Sequence, residues 1–160
     1  MIADTGDTLL PLILSERASR KMKDLIKEKT KAAGADGNSQ RHTKTIYIVE
    51  DSFMVRGKII ELLTGYRQLK IIGMAEHMSD AVREISSMKP DIALIDIGLK
   101  TGSGIGVLKA VKANCPETIC IMLTNYAGEE YRRKCDELGA DYFFDKTIEF
   151  EEALGIIISL

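Results

Sequence analysis

The sequence contains no apolar run long enough to cross a membrane. A transmembrane helix needs about 20 consecutive apolar residues, whereas the run Leu9–Leu14 is short and is interrupted by Pro11. This run also lacks the basic start and the length of a signal peptide. A composition of 45% hydrophobic and 29% charged residues is typical of a globular protein. We therefore expect a cytoplasmic location and no membrane partner.

Cysteine and histidine are also scarce. The three cysteines are odd in number and form no C-x-x-C pair, which favours free thiols in a reducing compartment over a disulfide framework. The two histidines, His42 and His77, are far apart and have no Cys/His cluster around them. We therefore expect surface imidazoles rather than zinc ligands.

A large excess of basic residues is absent too, since the net charge is −2. This balance disfavours direct binding of nucleic acid. The charge is uneven, however: residues 1–44 hold nine Lys/Arg and six Asp/Glu, a balance of +3, and residues 45–160 hold thirteen and eighteen, a balance of −5. We therefore predict an N-terminal extension over 1–44 and one domain over 45–160.

Within the extension, residues 15–33 predict a helix with Ser15 as its N-cap. Its apolar stripe is thin, so it is either a solvated helix or a short coiled-coil or docking helix. Asp24 and Glu28 interrupt its basic face, which argues against DNA binding. Residues 34–43 are small and polar, as is typical of a linker.

From residue 45 onwards, short Ile-rich runs alternate with segments of helical periodicity. Nearly continuous apolar runs are typical of parallel strands that are buried on both faces. The predicted strands are 45–49, 70–74, 92–95, 118–123 and 142–144, and the predicted helices are 53–63, 79–89, 104–114, 128–139 and 149–160. Ser52 and Ser79 are the predicted caps and Gly139 a predicted helix stop. The alternation predicts a parallel sheet with right-handed crossovers and helices on both faces.

The apolar end of the chain, 156-IIISL-160, has two interpretations. We expect it to pack on the sheet as part of the last helix. If it were exposed instead, it would form a patch for dimerisation.

Polar side chains follow four of the five predicted strands. They are Glu50 and Asp51, Asp96, Thr124 and Asn125, and Asp145 and Lys146. Sites in open parallel sheets form beyond the carboxyl ends of the strands, and each residue alone would suit an ordinary turn, cap or surface position. Several carboxylates together repel one another and need positive charge, which Mg²⁺ and a lysine would supply. The set therefore predicts a site for a metal ion and a phosphoryl group.

Residues 45–160 resemble the receiver domain of bacterial response regulators, which act in two-component signalling. The resemblance rests on 48-IVEDS-52, 91-DIALIDIGL-99, 103-SGIGVL-108, 122-MLTN-125 and 139-GADYFFDK-146. It implies a flavodoxin-like, doubly wound α/β sandwich with a five-stranded parallel sheet of order 2-1-3-4-5.

The resemblance also implies a role for each site residue. Asp96 is the expected phosphoacceptor, which attacks a phosphohistidine on a partner. The expected Mg²⁺ ligands are Asp51 directly, Glu50 through water, Asp96, and the backbone carbonyl of Gly98. Thr124 is expected to form a hydrogen bond with the phosphoryl group, and Lys146 an ion pair. Phe143 is the aromatic residue that the family couples to this threonine.

Several positions depart from the family pattern. Asn125 replaces a small residue, Thr147 replaces a proline after the lysine, and Lys100 stands where proline is common. Gly98 has no side chain to position an attacking water, and Tyr126 is placed to shield an acyl phosphate. We hypothesise slow self-dephosphorylation for these last two reasons.

The expected function is a phosphorylatable switch rather than an enzyme. We expect no effector segment after the domain, and therefore output by protein–protein contact or by phosphorelay. The implied partners are a sensor histidine kinase or histidine phosphotransfer protein and an unidentified downstream protein, with the chain a monomer or a phosphorylation-dependent homodimer. One rival is a phosphorylation-independent interaction or dimerisation module, which would have little use for Asp96 and Lys146. Another is an aspartyl phosphatase, which would need a second aspartate where Gly98 stands.

Overall fold

The computed structural model describes residues 43–160, which form a five-stranded parallel sheet with helices on both faces. The strands are β1 (Lys44–Val49), β2 (Leu69–Ala75), β3 (Ile92–Ile95), β4 (Ile119–Thr124) and β5 (Tyr142–Asp145). They lie in the order β2-β1-β3-β4-β5, and all neighbouring pairs are parallel. The predicted doubly wound fold with strand order 2-1-3-4-5 is therefore confirmed. The predicted helix over 15–33 lies outside the described residues.

One helix follows each strand. The helices are α1 (Phe53–Thr64), α2 (Met78–Met88), α3 (Gly104–Asn114), α4 (Glu129–Glu137) and α5 (Phe150–Ser159). The chain runs from β1 outwards to β2, and α2 then carries it back across β1 to β3. The strand order thus reverses between β1 and β3, where open α/β sheets form a crevice at their carboxyl edge.

Alternate residues of the buried strands point to two separate cores. In β1, Tyr47 and Val49 belong to a cluster with α2, α3 and α4, whose buried members include Ala81, Ile85, Val107, Leu108, Val111 and Cys135. Ile46 and Ile48 alternate with them and are also fully buried. The opposite face is covered by α1 and α5, which supply Val55, Ile59, Leu63, Ala153, Leu154 and Ile157. Burial on both faces explains why the strands are nearly continuous apolar runs.

The ends of the helices match two of the three predicted signals. Ser52 is the N-cap of α1, where its hydroxyl accepts a hydrogen bond from the Val55 amide at 3.4 Å. Gly139 follows α4 with φ +86°, which glycine tolerates best, and so serves as the predicted stop. The prediction for Ser79 was wrong, because α2 begins one residue earlier, at Met78. The Met78 amide donates to the Thr101 carbonyl at 3.0 Å, and this tertiary contact fixes the start of the helix.

The apolar end of the chain packs on the sheet as predicted. Ile157 is fully buried and Ile158 is 8% exposed. The described residues contain no cis peptide, so the Lys146–Thr147 bond is trans. Among the helices described, none is long and apolar enough to span a bilayer.

Candidate metal and phosphoryl site

Three carboxylates meet at the carboxyl edge of the sheet, at the point where the strand order reverses. Glu50 and Asp51 directly follow β1, and Asp96 directly follows β3. Because β1 and β3 are neighbours, with Val49 opposite Ile95, these residues leave the sheet side by side. One carboxylate oxygen from each lies within 4.8 Å of the others. The juxtaposition inferred from strand ends is thus present in the structure.

Lys146 brings a cation into this cluster. Its ammonium lies 2.5 Å from Glu50 Oε2 and 2.7 Å from Asp96 Oδ2. Glu50 is 2% exposed, and Asp96 and Lys146 are each 8% exposed. Charges as buried as these need partners, and the ammonium bridges two of the three carboxylates.

The cluster carries more negative than positive charge. Burial raises the pKa of Glu50 above its usual range, and the nearby Asp96 carboxylate raises it further. Lys146 and the Ser52 amide, which donates to Glu50 Oε1 at 3.1 Å, act in the opposite direction. Three carboxylates against one ammonium leave a formal charge of −2. Hard oxygen donors with that charge fit Mg²⁺, which binds through one or two carboxylates and retained waters.

Thr124 stands at the end of β4, on the other side of Asp96 from β1. It is completely buried, and its Oγ1 accepts a hydrogen bond from the Tyr126 amide at 3.1 Å. Its carbonyl accepts from the Lys146 amide at 2.9 Å. This backbone bond ties β4 to β5 at the carboxyl edge, where Thr124 and Lys146 end their strands.

The loop after Asp96 depends on two glycines. The Gly98 amide donates to Asp96 Oδ1 at 3.3 Å, and a Cβ built on Gly98 would lie 2.9 Å from Cε2 of Tyr126. The Tyr126 ring therefore covers the loop beside the carboxylate. A Cβ on Gly104 would lie 1.9 Å from the Asp96 carbonyl oxygen. Only glycine at this position lets the start of α3 pack so closely against the end of β3.

Phe143 lies on β5, three residues before Lys146, and is half-buried against the core cluster that lies under α2, α3 and α4. The guanidinium of Arg132 on α4 lies 4.6 Å from its ring centroid. Arg132 Nη1 also donates to the Phe143 carbonyl at 3.0 Å, and Nη2 pairs with Glu149 at 3.3 Å. The aromatic ring is thus held under a cation that connects α4 to the start of α5.

Sequence reasoning missed a group of charged residues behind the pocket. Arg56, on α1, is 9% exposed and donates from Nη1 to the Glu50 carbonyl at 2.8 Å. Its Nη2 pairs with Glu76 at 2.7 Å, and the same carboxylate pairs with Lys100. Glu76 directly follows β2, the one strand whose carboxyl end offered no distinctive polar residue in the sequence. The only hint of a role for Arg56 in the sequence was its place one turn after the Ser52 cap, as a charged residue inside a predicted helix.

Curated proteins that are similar to this chain have mixed functions. The chain is 27% identical over 104 residues to the DNA-binding transcriptional activator DevR/DosR of Mycobacterium tuberculosis, covering 65% of this chain and 48% of that protein. It is 33% identical over 107 residues to a cyclic di-GMP phosphodiesterase of Thermotoga maritima, covering 67% and 28%. The chain thus spans about half or less of the length of these relatives.

Solved structures share the fold. The response regulator domain of Thermotoga maritima CheB matches with a TM-score of 0.64 at 24% identity, covering 72% of this chain and 91% of that one. A chain of the CheX-CheY-BeF3-Mg+2 complex from Borrelia burgdorferi matches with a TM-score of 0.66 at 23% identity, covering 72% of this chain and 87% of that one. The family described as the response regulator receiver domain matches residues 46–158. The chain therefore belongs to the receiver-domain family of two-component response regulators.

Proposed function

We propose that this chain is a phosphoacceptor in which Asp96 receives a phosphoryl group from a phosphohistidine of a histidine kinase or phosphotransfer protein. The observation that carries the proposal is the position of Asp96. It lies at a strand end within the acidic cluster, with Lys146 Nζ 2.7 Å from its carboxylate. A buried carboxylate with this setting is suited to nucleophilic attack rather than to a structural ion pair.

In the proposed reaction, an Asp96 oxygen attacks the phosphorus atom of the phosphohistidine. A phosphorus–oxygen bond forms, the phosphorus–nitrogen bond breaks, and the imidazole leaves with the electron pair. Lys146 neutralises charge on the phosphoryl oxygens, and the Thr124 hydroxyl turns to donate to one of them. Glu50, Asp51, Asp96 and the Gly98 carbonyl would hold Mg²⁺, which would neutralise charge on the transferring group.

The proposed output is a change in the surface around α4, β5 and α5. A phosphoryl group adds about −1.5 to −2 charge next to Thr124. Movement of Thr124 towards it would give Phe143 room to repack, which would also alter the Arg132 contacts on α4. Phosphorylation would thus shift the population between two packings of this surface.

We infer that this surface contacts a downstream protein or a second copy of the chain, or that the phosphoryl group passes on to another histidine. The named relatives attach enzymatic or DNA-binding functions to chains that extend well beyond the matched part. For the matched part itself, we propose a switch rather than an enzyme.

The test is the intact mass of the protein after incubation with acetyl phosphate and Mg²⁺. We expect the mass to increase by one phosphoryl group, and we expect no increase for Asp96→Asn or for wild-type protein in EDTA. The result that would overturn the proposal is an unmodified wild-type protein that a cognate kinase also fails to label. In that case the domain would act as a phosphorylation-independent binding module.

A further inference from the structure

The residues behind the pocket form one continuous connection between the two segments that carry the proposed metal ligands. Its centre is Glu76, the residue after β2. One carboxylate oxygen of Glu76 accepts from Arg56 Nη2 at 2.7 Å, and the other pairs with Lys100. A second contact runs in parallel, because the Lys100 amide donates to the Glu76 carbonyl at 3.3 Å.

Arg56 extends this connection to the first ligand segment. Its guanidinium is planar and rigid, and its two terminal nitrogens bind different partners. Nη2 holds Glu76, while Nη1 donates to the backbone carbonyl of Glu50 at 2.8 Å. The peptide that follows this carbonyl leads directly into Asp51. The orientation of the Glu50–Asp51 segment is therefore fixed from behind by an arginine that Glu76 holds in place.

Lys100 extends the connection to the second ligand segment. It lies two residues after Gly98, whose carbonyl is a proposed ligand, in the loop that follows Asp96. Proline would restrict the backbone at such a position, and here a side-chain ion pair anchors the loop to the end of β2 instead. Next to it, His77 and Thr101 pair in a short parallel bridge, and their side chains lie 3.0 Å apart.

Glu76 also matters for the charge near the pocket. Arg56 and Lys100 are two cations that lie behind a site suited to a divalent cation. Without a carboxylate partner, their positive charge would oppose the binding of that cation. Hydrogen bonds from Lys100 and then Arg56 hold the pKa of Glu76 below its usual range, so that the carboxylate is ionised at neutral pH. It therefore neutralises part of this charge.

We propose that Glu76 is a positioning residue for the metal site: it holds the Glu50–Asp51 segment through Arg56 and the Gly98 loop through Lys100, without itself touching the metal. This inference rests on the proposed Mg²⁺ site. It accounts for the buried arginine on α1 and for the lysine in the loop after Asp96. Outer residues that orient metal ligands affect metal affinity even though they bind no metal.

The experiment is a calorimetric titration of Mg²⁺ into the wild-type protein, Glu76→Gln and Glu61→Gln. Glu61 is the matched control, because it also pairs with a lysine, at 3.0 Å, but lies exposed on α1. For Glu76→Gln we expect Mg²⁺ affinity to fall about threefold to tenfold, at or below the bottom of the roughly 10–100-fold range of such outer residues, because its ion pairs are partly exposed. We expect the wild-type affinity for Glu61→Gln.

A double-mutant cycle with Lys100→Gln separates the connection from a general loss of stability. If Glu76 acts partly through Lys100, Glu76→Gln lowers the affinity by a smaller factor in the Lys100→Gln background than in the wild type. The thermal midpoint in EDTA reports the effect of each change on the fold separately. An equal factor in both backgrounds would contradict the connection through Lys100.

The outcomes also separate this inference from the proposed function. Wild-type protein that binds Mg²⁺, together with Glu76→Gln of unchanged affinity, would overturn the role of Glu76 and leave the phosphoacceptor proposal standing. Wild-type protein that binds no Mg²⁺ would overturn both.

Discussion

The two edges of the same sheet use carboxylates in opposite ways. At the amino edge, the Thr45 amide and hydroxyl each donate to Asp91 Oδ2 at 2.7 Å. Also at that edge, the Cys120 amide and Lys112 donate to Asp141 Oδ2 at 2.7 and 2.6 Å. At the carboxyl edge, the cluster of Glu50, Asp51 and Asp96 has one ammonium, that of Lys146.

The two edges differ in how well the charge of their carboxylates is balanced by hydrogen-bond donors and cations. Each amino-edge carboxylate receives donors from the neighbouring strand, so it contributes to strand alignment and to stability. The carboxyl edge keeps an excess of negative charge in a buried place, which is unfavourable for folding alone. We therefore expect substitutions at the amino edge to affect mainly the fold, and substitutions at the carboxyl edge to affect mainly ligand binding.

The largest expected effect is that of Asp51→Asn at the carboxyl edge. Removal of this proposed direct ligand should weaken Mg²⁺ binding by more than about 100-fold, since even the loss of an outer partner costs about 10–100-fold. The free energy of unfolding in EDTA should not fall, because repulsion among the carboxylates is relieved. Calorimetry and urea denaturation measure the two quantities. A clear fall in the free energy of unfolding in EDTA would contradict the distinction between the two edges.

The next largest effect is expected from Asp141→Ala at the amino edge. This change leaves the buried Cys120 amide without its acceptor and removes the Lys112 ion pair, so the free energy of unfolding should fall by about 1–3 kcal/mol. Mg²⁺ affinity of the folded protein should stay at its wild-type value. Urea denaturation measures the stability, and calorimetry measures the Mg²⁺ affinity. A change in Mg²⁺ affinity without a change in stability would contradict the structural role given to the amino edge.

Cys120 offers an independent measure of the same destabilisation. It is completely buried, and this burial raises the pKa of its thiol to about 12. The thiolate is the reactive form, so a thiol reagent should label Cys120 only when the protein opens. Labelling in EDTA should be faster in Asp141→Ala than in wild type, and no faster in Asp51→Asn.

The smallest effect is expected for Tyr126→Ala, which sharpens the account of the carboxyl edge. The ring covers the Gly98 loop but is 51% exposed, so its removal admits water without disturbing the core. We expect the phosphorylated protein to lose its phosphoryl group several-fold faster, as measured by intact mass over time in the absence of any phosphatase. Tyr126→Phe keeps the ring and should keep the wild-type lifetime. Equal lifetimes for all three proteins would show that the ring shields nothing.

The strand-end pattern predicted much of the carboxyl edge. Parallel strands bring their carboxyl ends to one edge, so Asp96 and Lys146, which are 50 positions apart, could be placed together from the sequence alone. Burial on both faces made the strands nearly continuous apolar runs, which is a strong signal. The Ser52 cap was predictable as well, because its partner lies three residues away.

Contacts between loops could not be predicted in this way. Arg56 reads as an ordinary charged residue of a helix, and its burial depends on Glu76, 20 positions later. Ser79 looks like a cap, but the bridge between His77 and Thr101 moves the start of α2. Such contacts depend on how separate loops meet in space, and no periodicity or local signal records them.

The most direct test of the central claim is to locate the phosphoryl group after treatment with acetyl phosphate and Mg²⁺. Borohydride reduction converts an aspartyl phosphate to homoserine, whose position tandem mass spectrometry identifies. Our account predicts a single modified residue, Asp96, at the end of β3. Modification of Asp51, of the amino-edge Asp91 or Asp141, or of no residue would contradict it.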